Sequence, residues 1–221
     1  MKIRRIFSVF LLSVLLAALF LTPQAYALEE PALDARNALL MDETNGRMLY
    51  GKAEKEKAYP ASITKIMTAL LVLEAVDRGD LSVSQPITAS YEAANSIDED
   101  SSTAGIEEGE VLTVEQLLNC LLIVSANEAA NILAEAVSGS VTDFVALMNQ
   151  RAAELGCEGT HFTNTNGLPD PDHYTTAWDI YLIAREAMKH DLFMTICGSK
   201  SYEVPATNKS DVRELHSTNA L

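Results

Sequence analysis

YPASITKIMTALLVLEAVDRG, residues 59–79, decides how the chain is read. After Pro60 no Gly or Pro occurs until Gly79, and Ile66, Ala69, Leu70, Leu73 and Val76 recur at helical spacing. The spacing predicts a helix that opens at Ser62, runs from Ile63 to Arg78 and is stopped by Gly79. The segment is apolar on more than one side, which puts it inside a core and not on a surface. Ser62 and Lys65 are three residues apart at its start, so they share one helical face.

On the N-terminal side, Asn37 to Asp42 and Arg47 to Lys52 flank Glu43-Thr44-Asn45-Gly46. Asn-Gly between apolar runs predicts a β-hairpin. On the C-terminal side, Leu81 to Glu110 is polar and reads as a loop-rich excursion with one helical turn near Tyr91 to Ala94. Thr113-x-x-Gln116 is a capping box opening a helix from Val114 to Val124. Ser125-Ala126-Asn127 interrupts the apolar run, and an Ala-rich helix resumes from Asn127 to Val137. A further helix is expected over Thr142 to Leu155, then a polar loop from Thr160 to Tyr174 that contains Asn166-Gly167. Thr176-x-x-Asp179 opens one more helix, ending near Lys189. Helical period is lost from Phe193, and Ser201 to Val204 reads as a strand. The fold class is α+β: a helical cluster packed on an antiparallel sheet of which one strand pair is visible.

The first 27 residues read as a secretory leader. Lys2, Arg4 and Arg5 precede an apolar run from Ile6 to Leu21, and Ala25-Tyr26-Ala27 supplies a cleavage site. The run is shorter than the ~20 residues of a spanning helix, although an uncleaved anchor is the other reading. The expected mature region, Leu28 to Leu221, is long enough for one or at most two domains. The whole chain carries a net charge of −15; the leader holds three bases and no acid, leaving the remainder at −18. Such a chain repels phosphate backbones, which argues against nucleic acid as a partner. Cys120, Cys157 and Cys197 are too few for a disulfide scaffold and read as unreactive thiols. No CxxC or HExxH spacing occurs, so no metal is expected.

Serine becomes a useful nucleophile when a base takes its proton. Lysine serves as that base when burial and a nearby positive potential lower its pKa. Lys65, with Ile63, Ile66 and Met67 beside it at a helix N-terminus, is offered both conditions. The bland alternative is that Ser62 caps a helix and Lys65 lies on the surface. Ser125-Ala126-Asn127 adds a hydroxyl able to relay a proton and a carboxamide able both to donate and to accept; alone, it also reads as a helix break. Ser217-Thr218-Asn219 repeats the spacing outside the helical cluster.

S-x-x-K at a buried helix start followed by S-x-N between helices resembles the penicillin-binding protein and serine β-lactamase superfamily. Asn37 to Asp42, Tyr59 to Lys65, Ser125 to Ala130 and Asn166-Gly167-Leu168-Pro169, with His173 to Thr176 after them, resemble the low-molecular-mass D-alanyl-D-alanine carboxypeptidases. The resemblance implies a β-lactamase/transpeptidase-like fold and cleavage of the terminal D-alanine of a peptidoglycan stem peptide. It implies Ser62 as nucleophile, Lys65 as general base, Ser125 as proton relay and Asn127 as substrate-binding residue. It implies β-lactams as inhibitors of Ser62, no cofactor, and an extracytoplasmic location at the membrane or wall. The family's third motif, K-[ST]-G on a strand, is absent: Lys189, Lys200 and Lys209 lack the following residues. In family order it would fall beyond Leu221, together with the remaining strands and any membrane-attaching segment. The expectation is therefore an incomplete catalytic domain over 28–221, poorly folded and inactive by itself. A non-catalytic peptidoglycan-binding relative is one alternative. A serine β-lactamase is another, though its E-x-x-x-N spacing occurs only at Glu115 and Asn119, ahead of Ser125.

Overall fold

Two antiparallel strands come first among the described residues. Strands β1 (Ala38–Asp42) and β2 (Arg47–Lys52) pair as expected, with a register shift between Leu40 and Met41. Gly46 takes φ +68° in the connecting turn, a conformation that favours glycine. The Asp42 carboxylate closes that turn by accepting the Thr44 amide at 3.0 Å and the Asn45 side chain at 2.7 Å. The computed structural model describes residues 31–98 and 100–217. The expected leader, 1–27, lies outside the described residues, as do Thr218 and Asn219.

The 59–79 segment forms the central helix, with a different opening from that expected. A 3-10 turn, Ala61–Thr64, precedes helix α1, Lys65–Asp77. Ala61 has φ +47°, so Ser62 enters the turn from an unusual backbone position. Thr64, Lys65 and the residues from Met67 to Leu73 are buried, as the all-round apolar pattern requires. Gly79, at φ +79°, lets the Asp80 amide turn back to the Ala75 carbonyl at 2.9 Å and ends the helix.

Helices α3 (Val114–Ile123), α4 (Asn127–Ser138) and α5 (Val141–Glu154) pack around α1. Before them lie strand β3 (Pro86–Thr88), the short helix α2 (Tyr91–Asn95) and strand β4 (Val111–Thr113). Both halves of the Thr113–Gln116 capping box form, at 2.8 and 3.2 Å. Ala129, Ala130 and Ala134 have no exposed surface, and such small side chains let α4 approach its neighbours closely. Leu70, Leu117, Leu118, Leu133, Phe144 and Met148 fill the space between helices. Each such burial is worth about 1.5–3 kcal/mol.

Helix α6 (Ala177–Ala187) begins at the expected capping residue, where Thr176 Oγ1 accepts the Asp179 amide at 3.0 Å. The reciprocal half of the box is replaced: the Asp179 carboxylate accepts the Gly159 amide at 2.8 Å and the Thr160 hydroxyl at 2.7 Å. Helix α7 (Asp191–Cys197) stands where the sequence suggested loss of helix. It has 7 residues, too few to show a period, and is held by burying Phe193 and Ile196. Strand β5 (Ser201–Val204) was expected; its antiparallel partner β6 (Arg213–His216) was not. The stretch read as loops also contains β3 and β4, which pair with each other. The described residues thus hold three separate two-stranded sheets beside the helical cluster.

Candidate active site

Ser62 lies exposed in the 3-10 turn, and Lys65 lies beneath it with 2 % of its surface accessible. The Lys65 ammonium donates to Ser62 Oγ at 3.2 Å, to Asn127 Oδ1 at 2.6 Å and to the Asn166 carbonyl at 2.7 Å. Three acceptors match the three protons of an ammonium. Removing one proton leaves a lone pair that can face Ser62. Burial pushes the Lys65 pKa down to about 8, and the Glu128 carboxylate acts against that fall. The expected lowering is therefore produced by desolvation, with an anion in opposition.

Asn127 is the first residue of α4, and its backbone amide donates to the Ser102 carbonyl at 2.9 Å. Ser125 holds φ +61°, and Ala126 is tied back to the Cys120 carbonyl at 3.1 Å. The Ser125 hydroxyl is buried and meets no partner among the described residues, so it joins neither Lys65 nor Ser62 by a hydrogen bond. Of the two S-x-N stretches, the contact with Lys65 singles out the one at 125–127. In the other, the Ser217 amide donates to the Lys200 carbonyl at 2.8 Å, alongside the β5–β6 hairpin.

The Asn164–Leu168 loop, legible in the sequence as a turn and as a family-like stretch, supplies a further partner for Lys65. Asn164 Oδ1 accepts the Gly167 amide at 2.7 Å, and its Nδ2 donates to the Leu168 carbonyl at 2.9 Å. Thr68 Oγ1 donates to the Thr165 carbonyl at 2.6 Å, pinning the loop to α1. Gly167 takes φ +91°, and a Cβ there would collide with the Ala61 carbonyl. Glycine is required on both counts: it delivers the Asn166 carbonyl to Lys65 and lets the loop touch the turn that carries Ser62.

His173 braces the same turn from below. Its Nδ1 accepts the Thr163 amide at 3.0 Å, so the ring proton lies on Nε2, which donates to Thr64 Oγ1 at 2.7 Å. Burial pushes the His173 pKa down to about 4, consistent with a neutral ring.

Comparison with known proteins matches residues 24–220 to the family described as D-alanyl-D-alanine carboxypeptidase. The chain belongs to that family. It is 36% identical over 202 residues to D-alanyl-D-alanine carboxypeptidase DacF of Bacillus subtilis, covering 89% of this chain and 51% of that protein. It is 35% identical over 184 residues to DacC of Escherichia coli, covering 80% and 46%. Penicillin-binding protein 6B of Escherichia coli superposes with a TM-score of 0.80 at 27% identity, over 89% of this chain and 62% of that one. Penicillin-binding protein 5 of Haemophilus influenzae gives 0.78 at 29%, over 86% and 54%. The chain spans about half the length of the curated relatives it matches. The expected penicillin-binding-protein type of α+β fold is thereby shown.

Membership of the carboxypeptidase family agrees with the rest of the described surface. Glu115 is exposed, and Asn119 merely donates to the Glu115 backbone carbonyl at 2.9 Å within α3. All three cysteines are free; Cys120 and Cys157 are buried, with thiols pushed up to about 12, while Cys197 is exposed. The sequence assigns no role to the Asn166 carbonyl, His173, Ser102 or Glu128; His173 and Glu128 stand in it only as members of the family-like stretches, and Asn166-Gly167 as a turn as well.

Proposed function

We propose that this chain carries the serine–lysine centre of an exported D-Ala-D-Ala carboxypeptidase acting on peptidoglycan stem peptides. The observation that supports this best is the buried Lys65 amine 3.2 Å from Ser62 Oγ. In the reaction, neutral Lys65 takes the Ser62 proton as Oγ bonds to the penultimate D-alanine carbonyl carbon. The carbonyl π pair moves to oxygen and then returns, breaking the C–N bond to the terminal D-alanine. The leaving amine gains a proton through Ser125. Asn127 holds Lys65 and offers its amide to the substrate backbone. Water then adds to the acyl-enzyme, giving one proton back to Ser62 and releasing the shortened stem. Atoms balance with water as the sole co-reactant, so the chemistry needs no cofactor.

β-Lactams fit the same scheme, because ring opening replaces loss of D-alanine and leaves an acyl-Ser62. The leader over 1–27 supports export and a place of action outside the cytoplasm. The test is labelling with a fluorescent penicillin. Ser62→Ala is expected to abolish labelling; labelling that survives the substitution overturns the assignment.

A further inference from the structure

Glu128 has no exposed surface, yet no step above uses it. One oxygen, Oε1, accepts the Thr103 hydroxyl at 2.7 Å, the Ala104 amide at 2.7 Å and the Ile106 amide at 3.3 Å. The other oxygen is buried and meets no donor among the described residues. The residue before it is Asn127, whose amide donates to Ser102 at 2.9 Å and whose side chain accepts from Lys65 at 2.6 Å. Residues Ser102 to Ile106 therefore form a strap across the first turn of α4, tied to that turn by the Glu128 carboxylate and by the Asn127 backbone bond. We propose that Glu128 is a positioning residue: its buried carboxylate clamps this strap to α4 and sets the place of Asn127 and the charge of Lys65.

Burying an acid costs several kcal/mol unless its surroundings compensate. A neutral Gln could accept the same three bonds, so clamping alone does not call for a charge. The charge has a recipient in Lys65, on which Glu128 is the one influence opposing burial. The N-terminal turn of α4 also favours an anion. Other charged and titratable groups reach this neighbourhood. The Cys120 thiol of α3 is raised first by burial and next by Glu128, and Arg213 and Glu110 act on the same thiol. Arg213 of β6 pairs with both Glu110 oxygens at 2.7 Å and donates to the Gly105 carbonyl at 3.2 Å. Arg213 thus spends its Nη2 on the Glu110 carboxylate and on the strap, which it bolts from the far side, while its Nη1 is buried with no partner among the described residues. Lys65 is the cation on which Glu128 acts.

The inference rests on reading Lys65 as the base, but it can be measured on Lys65 whether or not turnover occurs. The 221-residue chain is labelled with 13Cε-lysine, and the Lys65 resonance is assigned with Lys65→Arg. In Glu128→Gln the Lys65 midpoint is expected to fall by about half a unit or more, with amide exchange at Ala104 and Ile106 still slow. An unchanged midpoint in the folded variant overturns the electrostatic role. Glu128→Asp keeps the charge and shortens the reach. It is expected to hold the midpoint near the wild-type value while exchange at Ala104 and Ile106 speeds up, and unchanged exchange overturns the clamp. Should Glu128→Gln fail to fold, the aspartate variant decides alone, and a Lys65 midpoint that falls as exchange stays slow overturns the proposal. Penicillin labelling is scored separately, on a chain extended through the family's third motif: its absence there counts against the Ser62 reading and leaves the Lys65 shift standing.

Discussion

The two sides of α1 differ sharply. Toward α3, α4 and α5, the helix meets residues with almost no accessible surface, such as Leu117, Leu118, Leu133 and Phe144. Helix α6 still buries Ile183 and Ala187 completely, but beyond it, at the β1–β2 hairpin, packing thins out. Leu40 is 56% exposed, Met48 48% and Leu49 50%. A groove of 580 Å³ runs between Leu39 and Met41 of β1 and Ile180, Tyr181 and Ala184 of α6. Ser62 stands where these two sides meet, its hydroxyl on the open one and its base partner in the closed one. An isolated hairpin is marginal in water, so stability is concentrated on the helical side. A lysine kept near pKa 8 needs that dry side, while a hydroxyl that must reach a substrate needs the open one.

The largest expected effect tests the closed side directly. Leu70→Ala should destabilise the protein by about 2–5 kcal/mol, since a fully buried leucine leaves a cavity. Chemical denaturation measures it, and a loss under about 1 kcal/mol would mean that this side is looser than it looks. Next comes the contact between the Asn164–Leu168 loop and the Ser62 turn. Gly167→Ala is expected to cost about 3 kcal/mol, combining positive φ with overpacking. It should also move the Lys65 titration by displacing the Asn166 carbonyl; a variant with unchanged stability and midpoint would show that the loop is not what holds Lys65.

Lys65→Arg keeps a cation but cannot deprotonate near neutral pH. Penicillin acylation should fall by about two orders of magnitude or more, roughly 2.7 kcal/mol or more in barrier. Near-normal acylation would refute the base. Wild-type acylation should rise as pH climbs through about 8. The same shift affects stability. The folded pKa lies below the ordinary 10.5, so the unfolded chain binds more protons in between and the cost of burying Lys65 fades as pH rises from about 8 toward 10.5. Relative to Lys65→Met, the wild type should therefore gain on the order of 3 kcal/mol as pH rises across that window. A pH-independent difference would contradict it. The smallest effect belongs to the open side: Leu40→Ala should change stability by less than about 0.5 kcal/mol. A core-sized loss would mean that Leu40 is covered in solution.

Local chemistry was readable in the chain without its partners. The Asn45-Gly46 turn, the Thr113–Gln116 box, the Gly79 stop and the all-round apolar α1 each depend on residues within one or two turns, where spacing suffices. Serine and lysine three apart needed only a helical step to meet. What distance along the chain conceals, spacing could not show. Strands β3 and β4 join residues 86–88 to 111–113, β6 became visible only beside β5, and α7 relies on two buried side chains in place of a period. Within the site, Lys65 draws one acceptor from residue 62, one from 127 and one from the backbone of 166. A carbonyl has no sequence signature, since every residue owns one. Glu128 reads as an ordinary acid in an Ala-rich helix until the fold buries it under Thr103, Ala104 and Ile106. Sequence by itself determined which groups could do the chemistry; the tertiary structure decided which are dry, which are charged and which touch, because desolvation and hydrogen-bond geometry exist only once distant segments are packed together.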